Sequence, residues 1–283
     1  MKPTAPFASR YDLPPLARLE TNWCPPWLIA RAAQHGPWHY QNGAPMDDSH
    51  IIGSTSGAFW MVAADGVGSQ PNSRFGARAA CLAVETHVAR ALNDGAEPSR
   101  RLMVDAFATA HDAIHALAKA EKQSPFTYST TLAATVIKGN TIVAAAVGDS
   151  GIAVGTDHED ETGNPHFTLT PFCSAPQPGH ATFTIADPNW PNYIATNITH
   201  APHIKSVIVA TDGANTFYLN GPAFRAEWPA AIDGQMRQLT PLTFVNFLAH
   251  FIQHQPPENH DDRTLLIACR PPTDITPPAP KPR

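Results

Sequence analysis

The sequence lacks long apolar runs and clusters of basic residues, and both absences narrow the range of functions. No apolar stretch reaches the roughly 18 to 20 residues that a helix needs to span a bilayer. Met1 to Asp12 contains no apolar segment typical of a secretory signal, so we expect a cytoplasmic protein without a membrane partner. The formal net charge is -5, and no basic run follows the pattern of a phosphate backbone. Nucleic acid is therefore excluded as an expected partner.

Several common reaction signatures are also missing. The 4 cysteines include no CxxC pair, so we expect reduced thiols rather than a zinc knuckle or a disulfide framework. The 14 histidines contain no HExxH spacing. The chain has no Gly-x-Ser-x-Gly elbow, no P-loop and no Cys-x5-Arg signature. A protein nucleophile of these familiar kinds is not indicated.

Composition predicts one large domain with tails. With 283 residues and 43% hydrophobic content, the chain can bury a large core. Residues 1–40 are rich in Pro, Trp and Ala and are predicted to form an N-terminal arm packed on the core. Residues 41–270 form the predicted main domain. The proline-rich segment 271–283 is predicted to be a flexible tail.

Apolar periodicity predicts a mixture of strands and helices. The apolar run 58–64 ends at Asp65-Gly66, which is typical of a buried strand followed by a sharp turn. Two helices are predicted at 73–92 and 99–121, the second with Ser99 as its N-cap. Both helices are expected to lay one face on a sheet.

The second half of the chain begins with a predicted hairpin. The β-branched runs 130–137 and 141–147 are joined by Lys138-Gly139-Asn140, and we expect 151–155 to continue them as an antiparallel meander. The later predicted elements are loops around one or two short strands at 156–203, strands at 205–210 and 265–269, and a helix at 241–254.

Four short aspartate-bearing segments lie at the ends of apolar runs. They are Ala64-Asp65-Gly66-Val67-Gly68, Val147-Gly148-Asp149-Ser150, Ala210-Thr211-Asp212-Gly213 and Asp261-Asp262-Arg263-Thr264. A turn needs only Asp or Gly and not a neighbouring buried strand, so four segments of one design suggest a common purpose. Carboxylates that strand ends deliver to one place form a hard-cation site, and such an all-oxygen site suits Mg2+ or Mn2+ better than zinc.

A carboxylate site of this kind has a definite chemistry. Two ions bridged by one carboxylate hold a water, lower its pKa from about 16 toward neutrality and place it for in-line attack on a phosphoryl group. No protein nucleophile is required, in agreement with the missing signatures.

The aspartate segments, in this order and with Ser129-Thr130-Thr131 after the first, resemble the metal-dependent type 2C protein serine/threonine phosphatases. The resemblance covers roughly residues 41–270. It is nearest to the bacterial branch, whose first metal turn is followed by a helix of small residues, here beginning at Ser73. The resemblance implies an α+β fold, a four-layer α-β-β-α sandwich of two antiparallel sheets flanked by helices. It also implies a phosphorylated protein substrate, a cognate Ser/Thr kinase as partner, and a monomer.

The resemblance also implies the metal ligands. Asp65 would bridge two central Mg2+ or Mn2+ ions, and the carbonyl of Gly66 would bind one of them. Asp212 and Asp261 would complete the coordination of the other ion.

Two further aspartates match the family by position. Asp149 corresponds to the aspartate beside an additional, weaker third metal site. Asp48, in the acidic segment 43–48, is the candidate for the aspartate that binds metal-held water, and Asp47 is the competing assignment.

Three departures from the family pattern bear on the mechanism. His39 to Pro45 lacks the arginine with which better-known members grip substrate phosphate, so the metals alone or another side chain are expected to bind it. Val67 stands where some members have a histidine as general acid, which leaves protonation of the leaving group to water. Gly151 stands where many relatives have an arginine after Gly-Asp-Ser.

Two functional hypotheses remain open, with a third behind them. The leading one is hydrolysis of phosphoserine and phosphothreonine in proteins by a metal-activated water, with Asp65, Asp212, Asp261 and Asp48 as catalytic residues. The alternative, motivated by the missing arginine, is a phosphatase-like binding or regulatory module with little catalysis. The third is a metal phosphoesterase that acts on small molecules.

Overall fold

The computed structural model describes residues 16–55, 57–159, 165–175, 182–214, 241–253 and 261–270. The strands are β1 (Leu16–Cys24), β2 (Trp27–Gln34), β3 (Ser49–Thr55), β4 (Ala58–Ala64), β5 (Leu132–Lys138), β6 (Thr141–Val147), β7 (Gly151–Glu159), β8 (Pro165–Cys173), β9 (Ala195–His200), β10 (Ile204–Ala210) and β11 (Arg263–Cys269). The helices are α1 (Pro37–Gln41), α2 (Ser73–Asn93), α3 (Arg100–Ala120) and α4 (Pro241–Gln253).

The strands form two antiparallel sheets. The first sheet has the order β1-β2-β11-β10-β7-β8, and the second has the order β3-β4-β5-β6-β9. One apolar layer lies between the two sheets, where Phe59 and Met61 of the second sheet belong to the same cluster as Val207 and Leu266 of the first. This arrangement confirms the α+β class and the pair of antiparallel sheets that the sequence predicts.

Helices cover the outer face of each sheet. The second sheet packs against α2 and α3 in a cluster that contains Trp60, Val62 and Phe107. The first sheet packs against α4 through Leu248 and Ile252. Successive side chains of a strand point to opposite faces, so the odd-numbered residues of β4 face the other sheet and the even-numbered residues face the helices. Because both faces are buried, β4 is apolar throughout.

The long helices begin and end close to their predicted limits. Ser99 caps α3, because its Oγ accepts a hydrogen bond of 3.1 Å from the backbone N–H of Leu102. Helix α2 buries small side chains, among them Ala77 and Ala80, and it lies very close to its neighbours. A Cβ on Gly76 would stand 1.9 Å from the carbonyl oxygen of Tyr128. The glycine is therefore required by packing rather than by helix formation.

The chain passes from one sheet to the other between β6 and β7. β6 pairs with β5 and β9, whereas β7 pairs with β8 and β10 in the first sheet. The predicted strand at 151–155 is confirmed as part of β7, and the hairpin of β5 and β6 is confirmed, but the prediction that this strand continues the hairpin as a meander is wrong. Gly148 makes the turn with a φ of 91°, and a Cβ there would lie 2.6 Å from the side chain of Thr131. The crossing places Asp149 at the junction of the two sheets.

The predicted arm and tail are described only in part. Within residues 1–40, segments 16–24 and 27–34 are β1 and β2, and β2 lies inside the first sheet beside β11. Residues 1–15 and the predicted tail at 271–283 lie outside the described residues. The division of the chain into arm, domain and tail stays a prediction. Among the described residues, no helix is long and apolar enough to cross a membrane.

Gly76→Ala tests the close packing of α2. Alanine in a helix interior normally gains up to about 1 kcal/mol over glycine, but overpacking at a tight contact costs about 1–3 kcal/mol. We expect the clash with the carbonyl of Tyr128 to decide the sign and to lower the free energy of unfolding. Denaturant unfolding measures it. Gly68→Ala, where a Cβ meets no atom within 4 Å, is the matched control. A Gly76→Ala variant that is more stable than the unmodified protein would contradict the close approach of Gly76 to the carbonyl of Tyr128.

Candidate metal centre

Three aspartates from different parts of the chain meet at one end of the two sheets. Asp65 follows β4, Asp149 lies at the crossing between the sheets, and Asp212 follows β10. One carboxylate oxygen of each lies within 4.8 Å of the corresponding oxygens of the other two. This spacing is short enough for the three side chains to share a metal ion.

The turn that carries Asp65 is held by the segment Ser129-Thr130-Thr131. The Asp65 N–H donates to Thr131 Oγ1 at 3.1 Å, and the Thr131 N–H donates back to the Asp65 carbonyl at 2.9 Å. Thr130 Oγ1 donates to the same carbonyl at 2.8 Å. These bonds fix the backbone of Asp65, so that the direction of its side chain is set by the sheet.

Gly66 lies in a crowded position directly after Asp65. A Cβ there would stand 2.8 Å from the carbonyl oxygen of Asp47 and 3.0 Å from the side chain of Ser73. The absence of a side chain thus lets the early acidic segment and the first turn of α2 approach the turn together.

Asp48 is connected to the turn of Asp212 by a threonine that the sequence analysis missed as a functional residue. Thr211 Oγ1 donates to Asp48 Oδ2 at 2.8 Å and accepts a hydrogen bond of 3.0 Å from the Thr264 N–H. Asp48 therefore lies beside the cluster, and its charge acts on Asp65. The sequence shows only a threonine before Asp-Gly. It does not reveal that this threonine bonds to Asp48 and Thr264, which are distant along the chain.

Asp261 and Gly213 lie together where β11 begins. The Asp262 N–H donates to Asp261 Oδ1 at 2.9 Å. A Cβ on Gly213 would stand 1.8 Å from the carbonyl oxygen of Asp262. Asp261 is outside the group of three converging aspartates, but its charge acts on both Asp65 and Asp212. The turns at 212–213 and 261–262 are thus in direct backbone contact.

Asp262 is buried and accepts hydrogen bonds from the segment 36–47. Its Oδ1 accepts from the Gly36 N–H at 2.6 Å, and its Oδ2 accepts from the Asp47 N–H at 2.5 Å. His39 Nδ1 lies 2.8 Å from the same Oδ2, and His39 Nε2 lies 3.9 Å from Asp47 Oδ2. His39 could not be predicted from the sequence, because a single buried histidine has no local signature.

Burial and mutual repulsion perturb the pKa values of the cluster. Burial raises the pKa of Asp65 well above its usual range, and the charges of Asp212, Asp48, Asp261 and Asp149 raise it further. Burial, Asp261 and Asp149 raise the pKa of Asp212 to about 7, although hydrogen bonds from Asp65 and the Gly213 backbone oppose the rise. Concentrated negative charge in a buried place is the electrostatic condition that a divalent cation relieves.

The donor atoms fit a hard cation. Asp48 Oδ1 and Asp212 Oδ1 are buried and have no hydrogen-bond partner among the described residues, so each has a lone pair available to a ligand. The converging group contains oxygen ligands and neither histidine nor cysteine. Such a set favours Mg2+ or Mn2+ over zinc.

Comparisons with solved structures show the same fold in phosphatases. Stp1, a serine/threonine phosphatase from Staphylococcus aureus, aligns with 89% of this chain and 95% of its own, at 12% identity and a TM-score of 0.61. A bacterial serine phosphatase aligns with 87% of this chain and 99% of its own, at 13% identity and a TM-score of 0.60. RsbX, solved in complex with magnesium, aligns with 89% and 99%, at 12% identity and a TM-score of 0.50.

A family comparison covers most of the chain. No curated protein matches this sequence significantly. The model of the protein phosphatase 2C family matches residues 35–254, a range that includes the turns of Asp65, Asp149 and Asp212. Together with the two antiparallel sheets and the acidic cluster, this match identifies the chain as a protein phosphatase that belongs to the protein phosphatase 2C family.

Proposed function

We propose that the protein hydrolyses phosphoserine and phosphothreonine in other proteins and that it depends on Mg2+ or Mn2+. The observation that carries this proposal is the convergence of Asp65, Asp149 and Asp212 within 4.8 Å at the junction of the sheets. The raised pKa values of Asp65 and Asp212 and the lone pairs of buried oxygens are what an all-oxygen metal site requires.

The proposed ligand roles follow the arrangement of charges. Asp65 is the aspartate on which the charges of four others act, as expected of a carboxylate placed between two central ions. The Gly66 carbonyl is the proposed additional ligand of one ion. Asp212 and Asp261, whose turns touch, are the proposed ligands of the other. Asp149 is the proposed ligand of a third, weaker site.

Bound ions of this kind supply a water of lowered pKa as the nucleophile. Of the chain's own residues, Asp48 would hold and orient that water. Thr211 occupies Asp48 Oδ2, which leaves Asp48 Oδ1 as the proposed acceptor of a hydrogen bond from the water. Val67 offers no proton to the leaving group, so this role falls to solvent.

Arg74 is the proposed side chain that binds the substrate phosphate together with the metals. It lies in the first turn of α2, one residue after Ser73, which borders Gly66. Burial raises the pKa of Asp47, and the positive charge of Arg74 partly opposes this rise, so Arg74 acts at the edge of the acidic cluster. The guanidinium carbon of Arg74 lies 4.5 Å from the centre of the Phe75 ring. The guanidinium group forms no ion pair with another described residue.

The remaining parts of the proposal concern the setting of the reaction. Two central ions are proposed, and the magnesium complex of RsbX is consistent with Mg2+ as one of them. A phosphorylated protein is the proposed substrate, a Ser/Thr kinase is the proposed functional partner, and the protein is proposed to act as a cytoplasmic monomer. The serine/threonine phosphatases among the matching structures support the substrate class.

Asp65→Asn and Asp212→Asn test the catalytic proposal. We expect each to lower Mn2+-dependent phosphate release from a phosphothreonine peptide by at least about 100-fold, because a direct ligand should matter at least as much as an outer-shell partner. Asp112→Asn, on the exposed surface of α3, is the matched control. Chelation should abolish release by the unmodified protein.

The possible outcomes separate the functional hypotheses. Full turnover in either variant would exclude the proposed ligand roles. Tight phosphopeptide binding without release by the metal-loaded protein would favour the binding-module hypothesis. A clear preference for a nucleotide or sugar phosphate would favour a small-molecule phosphoesterase.

Metal binding should also stabilise the fold. The folded-state pKa of Asp212 is raised above its unfolded value, so the metal-free protein loses stability as the pH rises through that folded-state pKa. At pH 8 the Asp212 carboxylate is ionised and destabilises the metal-free protein. Mn2+ at 100 times its Kd should add about 2.7 kcal/mol. Thermal melts with chelator and with Mn2+ measure the difference.

Asp212→Asn should change the melting temperature in opposite directions in the absence and in the presence of Mn2+. The variant should melt higher than the unmodified protein when both are metal-free at pH 8, because it removes one buried charge from the cluster. It should melt lower when both are saturated with Mn2+. A metal-free variant that is less stable than the unmodified protein would show that repulsion does not dominate at this position.

Arg74→Ala tests phosphate binding. We expect KM for a phosphopeptide to rise roughly 10-fold, since a hydrogen bond to a charged group contributes about 1.5–3 kcal/mol, while the Kd for Mn2+ stays nearly unchanged. Steady-state kinetics and Mn2+ titration measure the two quantities. Arg78→Ala, four residues later on the exposed face of α2, is the control. Equal KM values in both variants would exclude a specific role for Arg74.

A further inference from the structure

Asp262 joins two segments that are distant in the sequence. Its buried carboxylate accepts hydrogen bonds from the Gly36 and Asp47 backbone N–H groups, which lie 226 and 215 positions away. The third contact is His39 Nδ1 at 2.8 Å. One carboxylate thus holds both the loop before α1 and the acidic segment that follows it.

Asp262 lies next to one residue of the proposed metal centre in the sequence and is hydrogen-bonded to the neighbour of another. Asp48 follows Asp47 directly, and Asp261 directly precedes Asp262. The Asp262 N–H also donates to Asp261 Oδ1 at 2.9 Å. Asp262 therefore donates a hydrogen bond to Asp261 and accepts one from the backbone of the residue next to Asp48. Because Asp262 is only 1% exposed, its carboxylate is engaged by these donors rather than by solvent.

His39 completes this arrangement between two carboxylates. Its ring is buried, with Nδ1 beside Asp262 and Nε2 3.9 Å from Asp47 Oδ2. An ionised carboxylate can only accept hydrogen bonds, so the contact between His39 Nδ1 and Asp262 Oδ2 requires a proton on Nδ1. The same Oδ2 also accepts from the Asp47 N–H at 2.5 Å. Loss of this donor would leave a buried acceptor with fewer partners and free the 36–48 segment to shift.

We propose that Asp262 and His39 are positioning residues that set the metal affinity of the site by holding Asp48 and Asp261 at a fixed separation. The inference rests on the proposed function only in taking Asp261 as a metal ligand and Asp48 as the acceptor for the metal-held water. Outer-shell partners of this kind act by restricting the orientations that the ligands sample, so their loss weakens metal binding before it affects the chemistry.

Calorimetric titration of the metal-free protein with Mn2+ tests the proposal without measuring activity. Asp262→Asn replaces one acceptor oxygen by a donor amide, and His39→Leu removes the ring nitrogen. We expect each to raise the Kd for Mn2+ about 10–100-fold. In His39→Asn the side-chain amide nitrogen takes the place of Nδ1 and can still donate to Asp262, so we expect a Kd within roughly threefold of the unmodified protein.

A matched core variant separates positioning from general destabilisation. Phe107→Leu, in the layer between α3 and the second sheet, should lower the melting temperature and leave the Kd unchanged. If Asp262→Asn does not fold, the His39 pair decides the question. Unchanged Kd values in folded His39→Leu and Asp262→Asn would overturn the positioning role alone. An unmodified protein that binds no Mn2+ would overturn the proposed function, and this inference with it.

Discussion

Several carboxylates are buried together where the two sheets meet, and this unfavourable arrangement requires support from the surrounding fold. Burial raises the pKa values of Asp65 and Asp212, and the charges of neighbouring aspartates raise them further, so ionising the cluster is unfavourable in the metal-free chain. Such a cluster persists only on a scaffold that is stable without it. Three apolar layers, two between sheet and helices and one between the sheets, provide that scaffold.

Hydrogen bonds and close backbone contacts hold the turns that carry the carboxylates against the ends of the sheets. The segment 129–131 fixes the turn after β4, and Thr211 connects the turn after β10 with Asp48. Gly66 and Gly213 admit neighbouring backbone at distances that a side chain would prevent. Hydrogen bonds and close packing of the backbone therefore determine the shape of the acidic cluster.

The predicted elements and the candidate residues fared differently. Strands and helices with long periodic patterns, such as 58–64 and 99–121, agree with the structure because both faces of a buried strand and one face of a helix must be apolar. The meander through 151–155 was wrong, since a turn glycine does not reveal which sheet the next strand joins. Asp65, Asp149 and Asp212 do converge as their motifs suggest, whereas their roles as ligands stay predictions.

The apolar core, the long helices, the order of the aspartate turns and the family resemblance could all be predicted from the sequence, because each depends on a local pattern or on the order of motifs. Only the tertiary structure decided the crossing between sheets, the placement of Asp48 beside Thr211, and the burial of Asp262 with His39. The physical reason is separation: the contacts of Asp262 join residues 215 to 226 positions apart. Contacts of that range leave no periodicity in the chain and exist only once the two sheets have packed together.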